Sequence, residues 1–269
     1  MADEYLLAGR GEVDRLRLQA RVWEPETESM LDRIGVQPGW NCLDVGCGAM
    51  GILSPLSRRV GSSGFVVGID GDAQQLAAAR AFIRESGLTN VEILKRDAYR
   101  TGLPRGSFDF VHVRFVFAPA GRNDELLNEV VALTRPGGMV AIQEPDAGSW
   151  AYYPPFPAWV RLKQAIVAAF AQGGGDFNAG QRTYQLLLGA GLQDVRVRAA
   201  VLALQDRHPY LRLPVQFATS LRTRLVRTGL MSDQELGEAL AECEQTADAP
   251  ETVGLTFTVI QVWGQKPAG

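Results

Sequence analysis

"LDVGCGAMG", Leu43 to Gly51, carries a short apolar run into glycines at positions 46, 48 and 51. Gly-x-Gly-x-x-Gly after a strand is the spacing of loops that lay a dinucleotide pyrophosphate on the N-terminus of the following helix. The residues around this loop speak against that ligand. Asp44 stands two residues before Gly46, where a dinucleotide fold places an apolar residue beneath the turn. A carboxylate 4 Å from a phosphate charge costs about 4 kcal/mol at an effective dielectric of 20. Beside a cationic amine the same charge attracts. Asp70, closing the next apolar run "VVGID", is placed for ribose hydroxyls. Both ligand classes contain a ribose, so Asp70 does not discriminate. A dehydrogenase would also need a substrate domain with a proton-transfer residue. The chain has two histidines, His112 inside an apolar run and His208 before Pro209. They read as a structural residue and a surface-turn residue.

Outward from the loop, residues 41–144 alternate strand and helix patterns. "NCLDVG", "GFVVGID", "VEILKRD", "FDFVHVRFVF" and "GMVAIQE" are five β-rich runs. Between them lie helical patterns: "MGILSPLSRRV", with Pro55 in its early turns, "DAQQLAAARAFIRESG", and "RNDELLNEVVALTRPGG", stopped by Pro-Gly-Gly. This alternation means right-handed crossovers and a parallel sheet. "DVRVRAAVLAL" and "LTFTVIQVWGQ" add two strands able to pair antiparallel. The expectation is an α/β fold: a doubly wound, seven-stranded sheet, mostly parallel with one antiparallel strand, plus a helical cap. The expected organisation is an N-terminal helical lid over residues 1–35 and one catalytic domain over 36–269. Cap insertions are expected at about 147–192 and 205–252. "FATSLRTRLV", in the second insertion, has apolar residues at helical spacing and suggests a homodimer contact.

Composition narrows the classes. The 269 residues are 46% hydrophobic and 21% charged, as in an ordinary globular protein. The 27 basic and 30 acidic residues give a formal charge of −3, with no basic stripe for nucleic acid or an anionic membrane. Cys42, Cys47 and Cys243 are an odd set without Cys-x-x-Cys spacing, so neither a disulfide framework nor a zinc site is expected. No signal peptide or bilayer-length apolar run is legible, and the expected location is the cytoplasm.

"LDVGCGAMG", "VVGID", "KRDA", "FDFVHVRFVF" and "RPGGMVAIQEPD" resemble, in order and spacing, the motifs of class I S-adenosylmethionine-dependent methyltransferases. The resemblance is closest to the ubiquinone and menaquinone methyltransferase branch, which includes many small-molecule enzymes of secondary metabolism. It implies a Rossmann-like fold, S-adenosyl-L-methionine as cofactor and a small-molecule substrate. It also implies roles for single residues. Gly46 and Gly48 would admit the methionine portion, and Asp44 would hold the loop and the amino group. Asp70 would bind the ribose, with Gly71 and Gln75 near ribose and adenine, and Asp97 and Ala98 would meet adenine. Arg114 would lie near the amino-acid end, or else serve as a sheet-end salt-bridge residue. Tyr5, Arg15 and Gln19 would belong to a segment closing over the cofactor.

Methyl transfer from a sulfonium needs alignment above all, and positioning contributes roughly 7–11 kcal/mol. The aromatic stretch Trp150 to Trp159, interrupted by Pro154, Pro155 and Pro157, is expected to loop over the strand ends as a dry wall. A hydroxyl acceptor of high pKa would call for a base. Glu144 and Tyr152 are the candidate catalytic residues, with Asp146 and Tyr153 beside them; Glu144 reads equally as a loop anchor. Asn-Pro-Pro-Tyr, the mark of enzymes acting on DNA adenine or protein glutamine, is replaced by "RFVFAPAG". Two other readings share the cofactor motifs: a cofactor-bound cyclase or rearrangement enzyme, and a non-catalytic cofactor-binding protein.

Overall fold

The computed structural model describes residues 11–268. Its centre is a seven-stranded sheet in the order β3-β2-β1-β4-β5-β10-β7. The strands are β1 (Asn41–Val45), β2 (Phe65–Asp70), β3 (Val91–Lys95), β4 (Phe108–Arg114), β5 (Thr134–Asp146), β7 (Gln193–Ala200) and β10 (Thr258–Gln265). β10 runs antiparallel to both β5 and β7, and every other pairing is parallel. This is the expected sheet. Strand order reverses between β1 and β4, and in open α/β sheets the crevice at that reversal, beyond the carboxyl ends, takes the ligand. The central strands read as nearly continuous apolar runs because helices cover both faces. Leu43, Val45, Phe110, Val111, Val113, Val140 and Ile142 are all fully buried.

The sheet-covering helices α3 (Leu53–Val60), α4 (Ala73–Glu85) and α6 (Asn123–Leu133) follow the expected pattern, and α8 (Gly180–Gly189) joins them. By contrast, β4 stops at Arg114, and the end of the run "FDFVHVRFVF", expected as strand, leads into the short helix α5 (Phe117–Ala120). Asp72 caps α4, its carboxylate accepting from the amides of Gln74 and Gln75 at 2.7 and 3.0 Å. The remaining helices, α7 (Pro157–Gln172), α9 (Leu213–Arg227) and α10 (Asp233–Asp248), pack on one another above the sheet. Ser232 and Glu235 form a reciprocal capping box on α10. No helix among the described residues is long and apolar enough to cross a membrane.

Three features depart from the sequence reading. The N-terminal segment forms two helices, α1 (Glu12–Val22) and α2 (Glu24–Ile34), broken at Trp23 just before Pro25. The buried Trp23 ring donates from Nε1 to the Tyr210 hydroxyl at 3.1 Å, so packing sets the break. A second sheet, β6 (Ala151–Tyr153), β9 (Val253–Leu255) and β8 (Ala203–Leu204), joins the two insertions. Strands of two or three residues have no readable period. Lastly, four of the five apolar residues of "FATSLRTRLV", namely Phe217, Ala218, Leu221 and Leu225, are buried in the main core and Val226 is exposed, so core packing accounts for the helical spacing that suggested a homodimer contact.

A chain of polar side chains crosses the sheet interior. The Asp44 carboxylate meets Nδ1 of His112 at 2.7 Å, and Nε2 of His112 meets Nε2 of Gln143 at 2.8 Å. Gln261 Nε2 donates to Gln143 Oε1 at 2.8 Å and to the Glu26 carbonyl at 3.0 Å. Burial lowers the His112 pKa against the pull of Asp44. The neutral ring, protonated on Nδ1, donates to Asp44 and accepts from Gln143, which satisfies both contacts. His112 is thus the structural residue expected. Replacing it by Phe strands the Asp44 charge and the Gln143 amide in the interior, at a cost of about 3 kcal/mol. Urea unfolding of His112→Phe against the wild type measures this loss; an unchanged midpoint would show that the chain of bonds contributes nothing.

Candidate active site

The glycine loop is built around Asp44. One oxygen of its carboxylate holds His112, and the other accepts the Ile52 amide at 2.9 Å, at the N-terminus of α3. A helix N-terminus is where a bound phosphate normally sits. Here the protein's own carboxylate takes that place. Gly51, at φ 53°, passes so close that a Cβ would overlap the Asp44 carboxylate. Three more loop amides are taken up within the protein. Gly46 and Cys47 donate to the Ile69 carbonyl at 2.8 and 2.9 Å, and Gly48 donates to Asp70 at 2.9 Å. At Gly46, φ 70°, a Cβ would strike the Val116 side chain. Burial pushes the Cys47 thiol well up from its ordinary value, leaving it a packed residue and no nucleophile.

The loop opens onto a cavity of about 1070 Å³ at the carboxyl ends of the strands. Asp44, Gly46, Gly48, Asp70, Gly71, Gln75, Asp97, Ala98, Arg114, Arg15 and Gln19 all line it. Tyr5 lies outside the described residues. Asp70 accepts from the amides of Gly48 and Asp72 at 2.9 and 2.8 Å, and its carboxylate has lone pairs left for two hydroxyls. Burial raises its pKa against those amides. Gln75 Oε1 is buried without a hydrogen-bond partner, an acceptor lacking a donor. Asp97 accepts the Tyr99 amide at 2.9 Å. Arg114 donates to Thr27 Oγ1 and to the Gly51 carbonyl, each at 3.1 Å, and so fixes α2 and the glycine loop to the end of β4. On α1, Arg15 pairs with Glu12, donates to Gln19 Oε1 at 2.8 Å and lies over the Phe217 ring at 5.0 Å.

The structure places both candidate bases elsewhere. Glu144 is fully buried outside the cavity, its oxygens accepting the amides of Val116, Phe117 and Ala118 at 2.9, 3.0 and 3.0 Å. Of its two sequence readings, the loop anchor is the one the geometry fits. Tyr152 is buried in β6, with its hydroxyl donated to the Leu211 carbonyl, and does not reach the cavity. The expected aromatic wall also shifts. Trp150 stands behind the lining, stacked on Phe177 at 5.4 Å and edge-on to Phe217 and Phe257. Among the described residues the phenylalanine rings of the lining are Phe115, Phe170, Phe177, Phe217 and Phe257, and Tyr99 adds a further ring. The sequence reading missed them because they lie scattered on α7, α9 and the turns between elements. Only the fold brings them together. Among the described residues no group of three His, Cys, Asp or Glu side chains could hold a metal ion.

A family model described as a methyltransferase domain matches residues 37–185. Demethylmenaquinone methyltransferase of Listeria welshimeri is 28% identical over 151 residues, covering 55% of this chain and 62% of that protein. Nocamycin O-methyltransferase of Saccharothrix syringae is 32% identical over 136 residues, 49% of each. The chain therefore aligns with only about half to three fifths of these relatives. A SAM-dependent methyltransferase structure from Aquifex aeolicus superposes with a TM-score of 0.53 at 24% identity, covering 74% of this chain and 93% of that one. That likeness is one of fold.

The Glu144 anchor has a pH signature. Burial pushes its carboxyl from 4.5 up to about 7, against the backbone amides that favour the charged form. A raised folded-state pKa gives stability that is complete below the unfolded value and is lost as pH rises through the folded one. The rise corresponds to about 3 kcal/mol. Relative to Glu144→Gln, the wild type should lose about that much between pH 4.5 and 7.5 in urea unfolding. A pH-independent difference would show that the amides keep Glu144 ionised in the fold throughout.

Proposed function

The chain belongs to the methyltransferase-domain family, and on that premise we propose that it transfers a methyl group from S-adenosyl-L-methionine to a small, partly hydrophobic acceptor. One observation carries the choice of cofactor over a dinucleotide: Asp44 fills the anion position at the N-terminus of α3. A pyrophosphate there would meet a buried carboxylate and find the amides of Gly46, Cys47 and Gly48 already bonded. A ligand carrying an ammonium group meets attraction instead.

The residues present fit this cofactor. Asp70 would take the ribose hydroxyls, and the orphaned Gln75 Oε1 would gain a donor from the nucleoside. Asp97 and Ala98 would border adenine, and Gly46 and Gly48 the amino-acid portion, with Arg114 behind them. When bound, S-adenosylmethionine supplies a methyl group on a positively charged sulfur. Arg15 and Gln19 on α1 would cover that portion and exclude water, the lid role expected of residues 1–35. The phenylalanine half of the cavity would hold the acceptor in a dry, polarizable wall, suited to a step in which charge disperses. Likeness to an O-methyltransferase supports an oxygen acceptor, and a role in secondary metabolism is part of the same proposal. The three free, buried cysteines suit a reducing compartment such as the cytoplasm.

Calorimetry tests the cofactor. S-adenosylhomocysteine should bind and NAD should not. Asp70→Ala should weaken binding by about 1.5–3 kcal/mol, the range for hydrogen bonds to a charged group. Binding of NAD alone would overturn the proposal, and an unchanged affinity in Asp70→Ala would remove that residue from the site. Release of S-adenosylhomocysteine during product formation separates methyl transfer from a cofactor-bound rearrangement.

A further inference from the structure

The part of the cavity wall contributed by α5, α7, the turn between α7 and α8, α9 and the residue before β10 is almost wholly apolar. Its rings are Phe170, Phe177, Phe217 and Phe257, and it contains no carboxylate. Its α9 section ends in a cation, Arg224. Phe217 and Arg224 are seven residues apart on α9, so they share a face about 10 Å apart along the axis. Among the described residues, the other guanidiniums on the cavity wall are engaged. Arg15 pairs with Glu12 and Gln19, Arg114 holds Thr27 and Gly51, and Arg122 lies 3.7 Å over the Tyr99 ring. Arg96 bonds the Lys95 carbonyl. Arg224, partly buried, makes no side-chain hydrogen bond or ion pair with any described residue. A half-buried cation next to an apolar chamber gains most from an anion brought by the ligand, because the chamber lowers the local dielectric.

We propose that Arg224 sets acceptor specificity by binding an anionic group, a carboxylate or an acidic enol or phenol oxygen, on a substrate whose ring system fills the phenylalanine chamber. This deepens the methyltransferase reading and rests on it for the word substrate, while the binding claim concerns this chain's own residues. It agrees with the absence of a base from the described acceptor wall. A substrate oxygen that is already ionised near neutral pH needs no protein group to deprotonate it.

The test is binding of 2-naphthoate and biphenyl-4-carboxylate, each against its neutral primary amide, to the full chain saturated with S-adenosylhomocysteine. Arg224 variants are measured alongside, with melting temperatures to confirm folding. At least one acid should bind about tenfold tighter than its amide in the wild type. That preference should survive in Arg224→Lys and vanish in Arg224→Gln, with affinity for S-adenosylhomocysteine equal in all three chains. No acid preference in the wild type, including failure of every probe to bind, overturns the inference. So does a preference that persists in Arg224→Gln. Failure of S-adenosylhomocysteine itself to bind the wild type is a separate result, and it strikes the methyltransferase reading instead.

Discussion

The Asp44 carboxylate, shared between the Ile52 amide and the His112 ring, is the interaction on which the site depends. It turns a loop with phosphate-binding spacing into one whose anion position is already filled. Its hold on the start of α3 requires Gly51 to pass without a Cβ. Through His112, Gln143 and Gln261 the same carboxylate is tied to β4, β5, β10 and α2. The charge is buried but not isolated, since each oxygen has a donor, and a satisfied polar network of this kind fixes geometry better than apolar packing alone. Loop, sheet and N-terminal helices are held in register by one chain of bonds.

The cavity divides along the same lines. Its polar half lies over β1, β2 and β3, where strand ends present Asp44, Asp70 and Asp97 at successive edges of the sheet. Its apolar half is assembled by α7, α9 and the turn before β10, which no single sequence segment supplies. The second small sheet, β6-β9-β8, clamps the two insertions together and so holds Trp150 behind the lining rings. Glu144 does for the loop after β4 what Asp44 does for the loop after β1: a buried carboxylate gathers consecutive amides and sets the backbone that leads into α5.

The fold was legible because it is written in local signals. Alternating apolar runs, a glycine loop and acids at strand ends specify a parallel sheet, and the antiparallel β10 followed from two late β-rich runs. Asp70 was legible for the same reason, whereas Gln75 and Asp97 were placed only by the resemblance to methyltransferase motifs, and both line the cavity. What the sequence reading misplaced depends on long-range packing. Tyr152 and Trp150 looked like site residues because aromatics clustered in one loop, yet the loop folds behind the cavity, both rings are buried, and the Tyr152 hydroxyl is spent on a backbone carbonyl. The break at Trp23 and the inward turn of α9 were hidden because their partners, Tyr210 and the face of α7, lie far off in sequence.

The most direct test of this account is a crystal structure of the full chain with S-adenosylhomocysteine. The account predicts Asp44 unmoved between Ile52 and His112, ribose hydroxyls on Asp70, a new donor at Gln75 Oε1, and the sulfur facing the phenylalanine chamber. Displacement of Asp44 by a ligand group at the N-terminus of α3, or a ribose bound away from Asp70, would contradict it.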